Sequence, residues 1–341
     1  MLIYSSGFVG LDAWMGGILT AGILFKQHKD TSNSRNSKNQ MIGEIAAIVT
    51  AICWALSSIF FTRAGEQVGS VVVNRMRLLF AVILLITAHF FLQGQVIPLN
   101  AGLDRWFWLG ISGIVGLIIG DACLLQAYVL IGARIATLIM AVVPVISALL
   151  AWIFLDERLS IIEISGICLA VAGISIVILE RSNPDNQPVN QRRYVLGILC
   201  AFGGALGQAG GLILAKKGLY NNFPALSGVV IRMLVAMSAL WIGTFFLKQA
   251  GPTLQVVLEK RTALKYIIFG SVVGPFIGVW MSLVAIQNTY VGLASTLMAL
   301  TPIVMLPIVR WVFKEQVSQR AVIGTLVSII GVAIIYFAPG A

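Results

Sequence analysis

The chain has 341 residues, of which 59% are hydrophobic and 11% charged, with a mean hydropathy of +0.95. These values lie far outside ordinary soluble domains. A formal net charge of +10 would suggest nucleic acid in a soluble protein, but here Lys and Arg flank apolar stretches, so the expected counter-charges are membrane lipid headgroups and no nucleic-acid partner is implied.

Residues 1–40 open the chain as an extension. Gly7–Phe25 is apolar but contains Asp12 and lacks a basic leader, which argues against a cleaved signal peptide. Two readings stand: an extra helix followed by an unstructured polar stretch over 26–40, or a start-site artefact with translation beginning at Met41. Runs of roughly 20 apolar residues then predict ten transmembrane helices, at about 43–62, 70–92, 106–128, 133–154, 161–180, 194–215, 224–247, 264–286, 291–313 and 320–337. Trp106 and Trp108 read as an interface anchor at the start of span three. Arg181 to Arg193, rich in Pro and Asn, reads as a solvated linker between two sets of five. Lys248–Thr262 suits a short interfacial helix.

The two sets match. Shifted by 158 residues, Gly116, Gly120, Pro144, Glu157, Gly166 and Gly173 fall on Gly274, Gly278, Pro302, Glu315, Gly324 and Gly331. Spans one and six match at 154, and spans two and seven at 157, with Arg75-Met76 on Arg232-Met233. The expected organisation is an all-α membrane fold with a first repeat at 41–181, a linker at 182–193 and a second repeat at 194–341. Five is odd, so the second set enters the membrane from the opposite side. An inverted repeat of this kind builds outward- and inward-facing states from one packing. One chain already holds both halves, so a monomer suffices and a dimer is compatible.

Sidedness is less marked. Lys26, Lys29, Arg35, Lys38, Arg105, Arg158, Lys216 and Lys217 share the side of Met41. Arg63, Arg134, Arg181, Arg192, Arg193, Lys248, Lys260, Arg261, Lys265, Lys314 and Arg320 lie opposite, so charge alone weakly places Met41 outside.

Asp121 is the sole acid deep within the ten spans. A carboxylate there costs about 2.5–3.5 kcal/mol on insertion scales, so it should face a cavity or a partner. It is either a protonatable coupling site or cation ligand, or one half of a structural pair. Arg75 and Arg232, at repeat-related positions, are candidates to attract an anionic group or to neutralise Asp121; Arg77 and Arg310 read as snorkelling. Trp54, Ser57, Ser58 and Phe61 share one helical face, and Gln208 aligns with Trp54. With Gln126 and Trp280 they suit a cavity for small amphipathic solutes, or ordinary helix packing. Gly203, Gly207 and Gly211, like Gly270, Gly274 and Gly278, read as close-packing stripes; Gly120 sits opposite Gly278 in the repeat. Pro144 and Pro302 fall mid-span and permit kinks, either hinges or static bends.

Cys53, Cys123, Cys168 and Cys200 form no Cys-x-x-Cys, and His28 and His89 are the only histidines, so neither a disulfide framework nor a metal or other cofactor is expected. No Walker motif is present, which argues against ATP hydrolysis by that route.

Two segments carry a resemblance: GARIATLIMAVVPVISALLAWIFLDERLSIIEISGICLAVAGISIVI and VGLASTLMALTPIVMLPIVRWVFKEQVSQRAVIGTLVSIIGVAIIYF. Each has a mid-helix proline, an acidic residue about 13 positions on, and glycines spaced by seven. Over about residues 42–338 the chain resembles the EamA family of the drug/metabolite transporter superfamily. The resemblance implies ten helices, an inverted pseudo-two-fold and a central cavity between the halves. It implies movement of small metabolites, amino acids or lipophilic compounds, often outward, and core termini in the cytoplasm, against the charge count. A bacterial-type plasma membrane is the expected location. A permease working by alternating access and driven by a solute or proton gradient, with Asp121 the candidate proton-coupling group, is therefore the leading reading. A non-transporting scaffold or receptor is the alternative; a membrane enzyme fits less well, since paired carboxylates or a metal cluster are missing.

Overall fold

In a computed structural model, residues 9–155, 161–179, 191–301, 304–305, 308 and 319–336 are described. The chain divides into two units, Met1–Ile42 and Gly43–Ala341. The first is helical from Val9, as the opening part of α1 (Val9–Val68). Its polar residues 26–40 are helical, not unstructured as expected, and none of them is Pro or Gly. The second unit carries α2 (Ser70–Gln93), α3 (Leu103–Gly113), a widened π-type turn over Ile114–Gly120, α4 (Asp121–Met140), α5 (Val143–Leu155) and α6 (Ile161–Leu179). It continues with α7 (Gln191–Gly218), α8 (Ala225–Phe246), α9 (Ala250–Glu259), α10 (Arg261–Ser271), a second π-type turn over Val272–Gly278, α11 (Val279–Asn288), α12 (Val291–Met298) and α13 (Gln319–Tyr336). No strand occurs among the described residues.

Among the described residues, six helical stretches are long and apolar enough to cross a membrane: Asn39–Val68, Ser70–Gln93, Leu103–Met140, Gln191–Gly218, Ala225–Phe246 and Arg261–Asn288. Shorter apolar helices lie at Val143–Phe154 and Val322–Gly331. A short helix, α9, falls in the stretch where an interfacial helix is expected. The surface suits a bilayer. Ile45, Ile48, Ile52 and Leu56 are exposed along one face of α1, and Leu199, Phe202 and Leu206 along α7. The first three of these positions fall on the α7 positions at the 154-residue offset. Such apolar stripes gain nothing from water and are covered by lipid in a multi-pass membrane protein.

The repeat seen in sequence recurs in element boundaries. Adding 158 to α3, the first π-turn and α6 lands on the starts of α10, the second π-turn and α13. In α4, Gly132 interrupts the helix at φ 78° and ψ 162°; its counterpart Tyr290 caps α12 in an extended conformation at φ −63°. The first half thus places at Gly132 a left-handed turn that a side chain would strain, and the second half makes its break by ending α11 and beginning α12. Helix α6 packs on its own repeat counterpart, α13. A Cβ on Gly173 would lie 2.5 Å from the Gly324 carbonyl oxygen, so these backbones touch.

One expectation about the prolines changes. Pro144 is the second residue of α5, not mid-helix. The chain breaks just before it, where Ala141 and Val142 donate to carbonyls three residues back. The cause is direct: Pro144 has no N–H for Met140 and its ring crowds that carbonyl. Ala299 and Leu300 make the same three-residue turns in the second half, while Pro302 lies outside the described residues.

The glycine stripes form two crossings. In one, a Cβ on Gly207 would sit 2.4 Å from the Gly120 Cα, and one on Gly211 3.1 Å from the Gly116 Cα. In the other, Gly274 meets Ser57 and Gly278 meets Cys53 and Trp54; these are the positions the repeat pairs with the first set. Gly207→Ala should therefore cost about 1–3 kcal/mol, because only backbone is available to yield. Gly243, with nothing within 4 Å of its added Cβ, lies in the interior of α8, so Gly243→Ala should stabilise by roughly 0.5–1 kcal/mol. Thermal unfolding of the detergent-solubilised variants checks both signs.

Candidate functional site: a cavity between the two halves

A cavity of about 90 Å³ lies where α1, α4, α7 and α12 converge with both π-turns. A water needs only about 10–15 Å³ on the same measure, so the space holds several waters or part of a small solute. Its walls come from repeat-related positions: Trp54 and Gln208, Leu117 and Pro275, Asp121 and Val279, Thr137 and Ser295, Met140 and Met298, Ala141 and Ala299, Val143 and Thr301. The cavity is therefore built by both halves of the repeat.

The two walls differ in chemistry. Asp121 begins α4 directly after the first π-turn, and Arg77 reaches it from α2, Nη2 donating to Oδ2 at 2.5 Å. Arg77 also donates from Nε to Asn74 Oδ1 at 3.0 Å and from Nη2 to the Leu117 carbonyl at 3.2 Å. Its guanidinium stands 5.9 Å from the centre of the Phe61 ring. The Arg77 side chain is 5% exposed and that of Asp121 16%, so the pair is largely buried, and both side chains line the cavity. Asp121 Oδ1 has no hydrogen-bond partner among the described residues. At the repeat positions of Asn74, Arg77 and Asp121 the second half has Ile231, Leu234 and Val279. At these three positions the first half is polar and charged and the second half apolar.

Of the residues singled out from sequence, Asp121, Trp54 and Gln208 line the cavity, along with Ser57 and Phe61. Neither the Gln208 amide nor the Trp54 indole N–H has a protein hydrogen bond among the described residues. Gln126 does not line it; its Oε1 accepts from Ser70 at 2.5 Å. Trp280 packs beside the core instead, its ring 6.2 Å from that of Phe276. Arg75 is buried away from the cavity, donating to Thr253 on α9 at 2.8 Å and accepting from Trp241 Nε1 through its carbonyl at 3.2 Å. It fastens the interfacial helix to α2 and α8. Arg232 is 3% exposed and stands behind the first π-turn, with its Nη2 3.1 Å from where a Gly116 Cβ would be. Gly120 and Gly278 pack at the two crossings.

Sequence reading assigned Arg77 to the interface. The structure places it in the core, and Arg310 lies outside the described residues. Tyr128, Leu124, Met140 and Met298 were also not foreseen as lining residues. Among the described residues, no three His, Cys, Asp or Glu side chains gather as a metal site.

The comparisons with known proteins agree with this architecture. The model of the EamA-like transporter family matches residues 41–179 and again 195–337. Among solved structures, one described only as "Crystal structure of protein" is 17% identical. The match covers 87% of this chain and 96% of that one, with a TM-score of 0.60, and speaks to fold alone. No curated protein matches.

The pair generates a double-mutant test. Asp121→Val leaves Arg77 buried without its acid and should cost about 3–5 kcal/mol. Adding Arg77→Leu transplants the apolar wall of the second half and should restore most of that loss. Thermal unfolding of the two single variants and the double variant measures the cycle; a double variant as unstable as the sum of the singles contradicts it.

Proposed function

The chain belongs to the EamA-like transporter family, and from that premise we propose a secondary carrier that moves a small metabolite, amino acid or lipophilic compound by alternating access. The family is one of membrane transporters of the drug/metabolite type, not of enzymes. The finer reading is a ten-helix core of two inverted repeats, 41–181 and 194–341, joined by the 182–193 linker and sitting in a bacterial-type plasma membrane. The observation that carries it is the cavity, whose walls are contributed pairwise by repeat-related residues. A site on the pseudo-axis is reached equally by both halves, so rocking one half against the other opens it alternately to each side.

Export is the proposed direction, with lipids as surrounding partners and a monomer as the working unit. Trp54, Phe61, Met140 and Met298 offer an apolar body to the solute. Gln208 and Asp121 supply polar contacts. Asp121 is also the proposed coupling group: a carboxylate beside open space can take a proton and weaken its hold on Arg77. Gly120 and Gly278 serve as the close-packed pivots, and Pro144 and Pro302 as the hinge positions.

Mass spectrometry of medium and cells, with and without overproduction, should find a metabolite redistributed across the membrane by the wild type. In purified proteoliposomes, flux of that metabolite should rise with an imposed proton gradient. Asp121→Asn should lose this dependence while the folded protein persists. Unchanged pH dependence in the variant removes Asp121 from the coupling role; no redistribution of any solute removes the carrier reading.

A further inference from the structure

We infer that the solute carried in this cavity is a small organic monoanion, an apolar body bearing one carboxylate. The inference rests on the carrier reading and on a count of buried charge. Asp121 is matched by Arg77 at 2.5 Å. A second cation, Arg232, is also buried beside the same turn, at 3% exposure. Its Nε is buried without a hydrogen-bond partner, and the guanidinium makes no ion pair or hydrogen bond among the described residues. Guanidinium does not shed its proton in proteins. Two cations and one acid leave a surplus of one positive charge.

The position of that charge matters. Gly116, against which Arg232 Nη2 rests, is adjacent in sequence to Leu117, a wall residue. Gly211, whose Cα a Gly116 Cβ would meet at 3.6 Å, is adjacent to Leu212, another wall residue. The guanidinium thus rests on the glycine crossing of the first π-turn and α7, one residue along each helix from a wall residue. In the low dielectric of the membrane interior its field reaches across that layer far more strongly than in water. The repeat-related Arg75 does not share this role, since it is held at Thr253 near α9.

An unpaired cation at membrane depth is costly and marks a functional partner. The solute that neutralises this site carries one negative charge. A dianion would overshoot, and a cation would add to the surplus. The rest of the wall, Trp54, Phe61, Leu124, Met140 and Met298, calls for an apolar or aromatic body. The space of about 90 Å³ keeps it small.

Isothermal titration of the purified full chain with three probes of one shape tests this: benzoate, benzamide and benzylamine, with chloride as an inorganic reference. Benzoate should bind at least tenfold more tightly than benzamide, and benzylamine should not register. Arg232→Gln should remove the preference for benzoate, and Arg232→Lys, which keeps the charge, should retain most of it. Equal binding of benzamide or benzylamine by the wild type overturns the inference and leaves the carrier reading intact. Chloride binding more tightly than benzoate overturns the organic-acid assignment. Benzoate bound with the expected preference supports the anion site; if no solute is then moved in proteoliposomes, the carrier reading alone fails. If neither Arg232 variant folds, the wild-type preference among the three probes decides the matter alone.

Discussion

The close approach of two pairs of helices fixes everything else in this molecule. At the crossing of the first π-turn with α7, Gly120 and Gly207 leave no room for a single Cβ between them. Without a hydrophobic driving force between helices in lipid, such close packing is a main source of association. It also sets the position of the cavity. Trp54 and Gln208 each follow the crossing residue of their helix, Cys53 and Gly207, so the crossings deliver them to the same space. The second crossing is not a copy in detail. Gly274 and Gly278 meet the side chains of Ser57, Cys53 and Trp54 there, not another glycine backbone. At one crossing glycine backbones touch, with Ser112 Oγ donating to the Gly211 carbonyl and Arg232 behind; at the other, glycines meet side chains.

A symmetric scaffold therefore carries asymmetric chemistry. Burying Arg77 and Asp121 costs desolvation that their mutual attraction only partly offsets, and the apolar set Leu234 and Val279 shows that the fold can fill these positions without charge. A buried pair retained where an apolar pair also fits is better explained by use than by stability. The hydrogen bonds from Arg77 to Asn74 and to the Leu117 carbonyl orient its fork. They hold one carboxylate oxygen and leave the other without a partner among the described residues. That is an arrangement for exchange of partners, and it exists on one wall only.

How much of this was legible beforehand follows from what each signal encodes. Apolar run length reports membrane crossing and places the ends of α2, α7 and α8 to within a few residues, but not the start of α1 at Val9 or the helical run to Met140, past the expected end near 128. Matching Gly, Pro and charge across 154–158 residues reports equivalent packing, which is why the Trp54–Gln208 pairing and both glycine stripes emerged from sequence. Neither signal reports which face of an apolar helix turns inward, since lipid and core are alike in hydropathy. Gln126 and Trp280 were placed by that ambiguity and fall elsewhere. Arg77 was misjudged on its distance from a span end. A better signal was available: it stands seven residues after the start of span two, and Asp121 seven before the end of span three. In consecutive, oppositely directed helices those are equal depths. Pro144 was read as interior because the apolar run is continuous across it, although the missing N–H ends the helix before it.

The irregular backbone supplies the last step. Within a bilayer, non-helical backbone persists only where protein or a cavity shelters it. Here the two π-turns contribute Leu117 and Pro275 to the cavity wall, and the two broken turns before α5 and after α12 contribute Ala141 and Ala299. These four irregularities meet at one place, in repeat-related pairs, apart from the breaks at Gly132 and Tyr290. A static bundle gains nothing by gathering its weakest helical segments around a cavity. A carrier does, because those turns are where a helix can change direction without breaking its contacts at the glycine crossings. The candidate site and the irregular turns of the fold occupy the same few residues, which is what the proposed carrier requires.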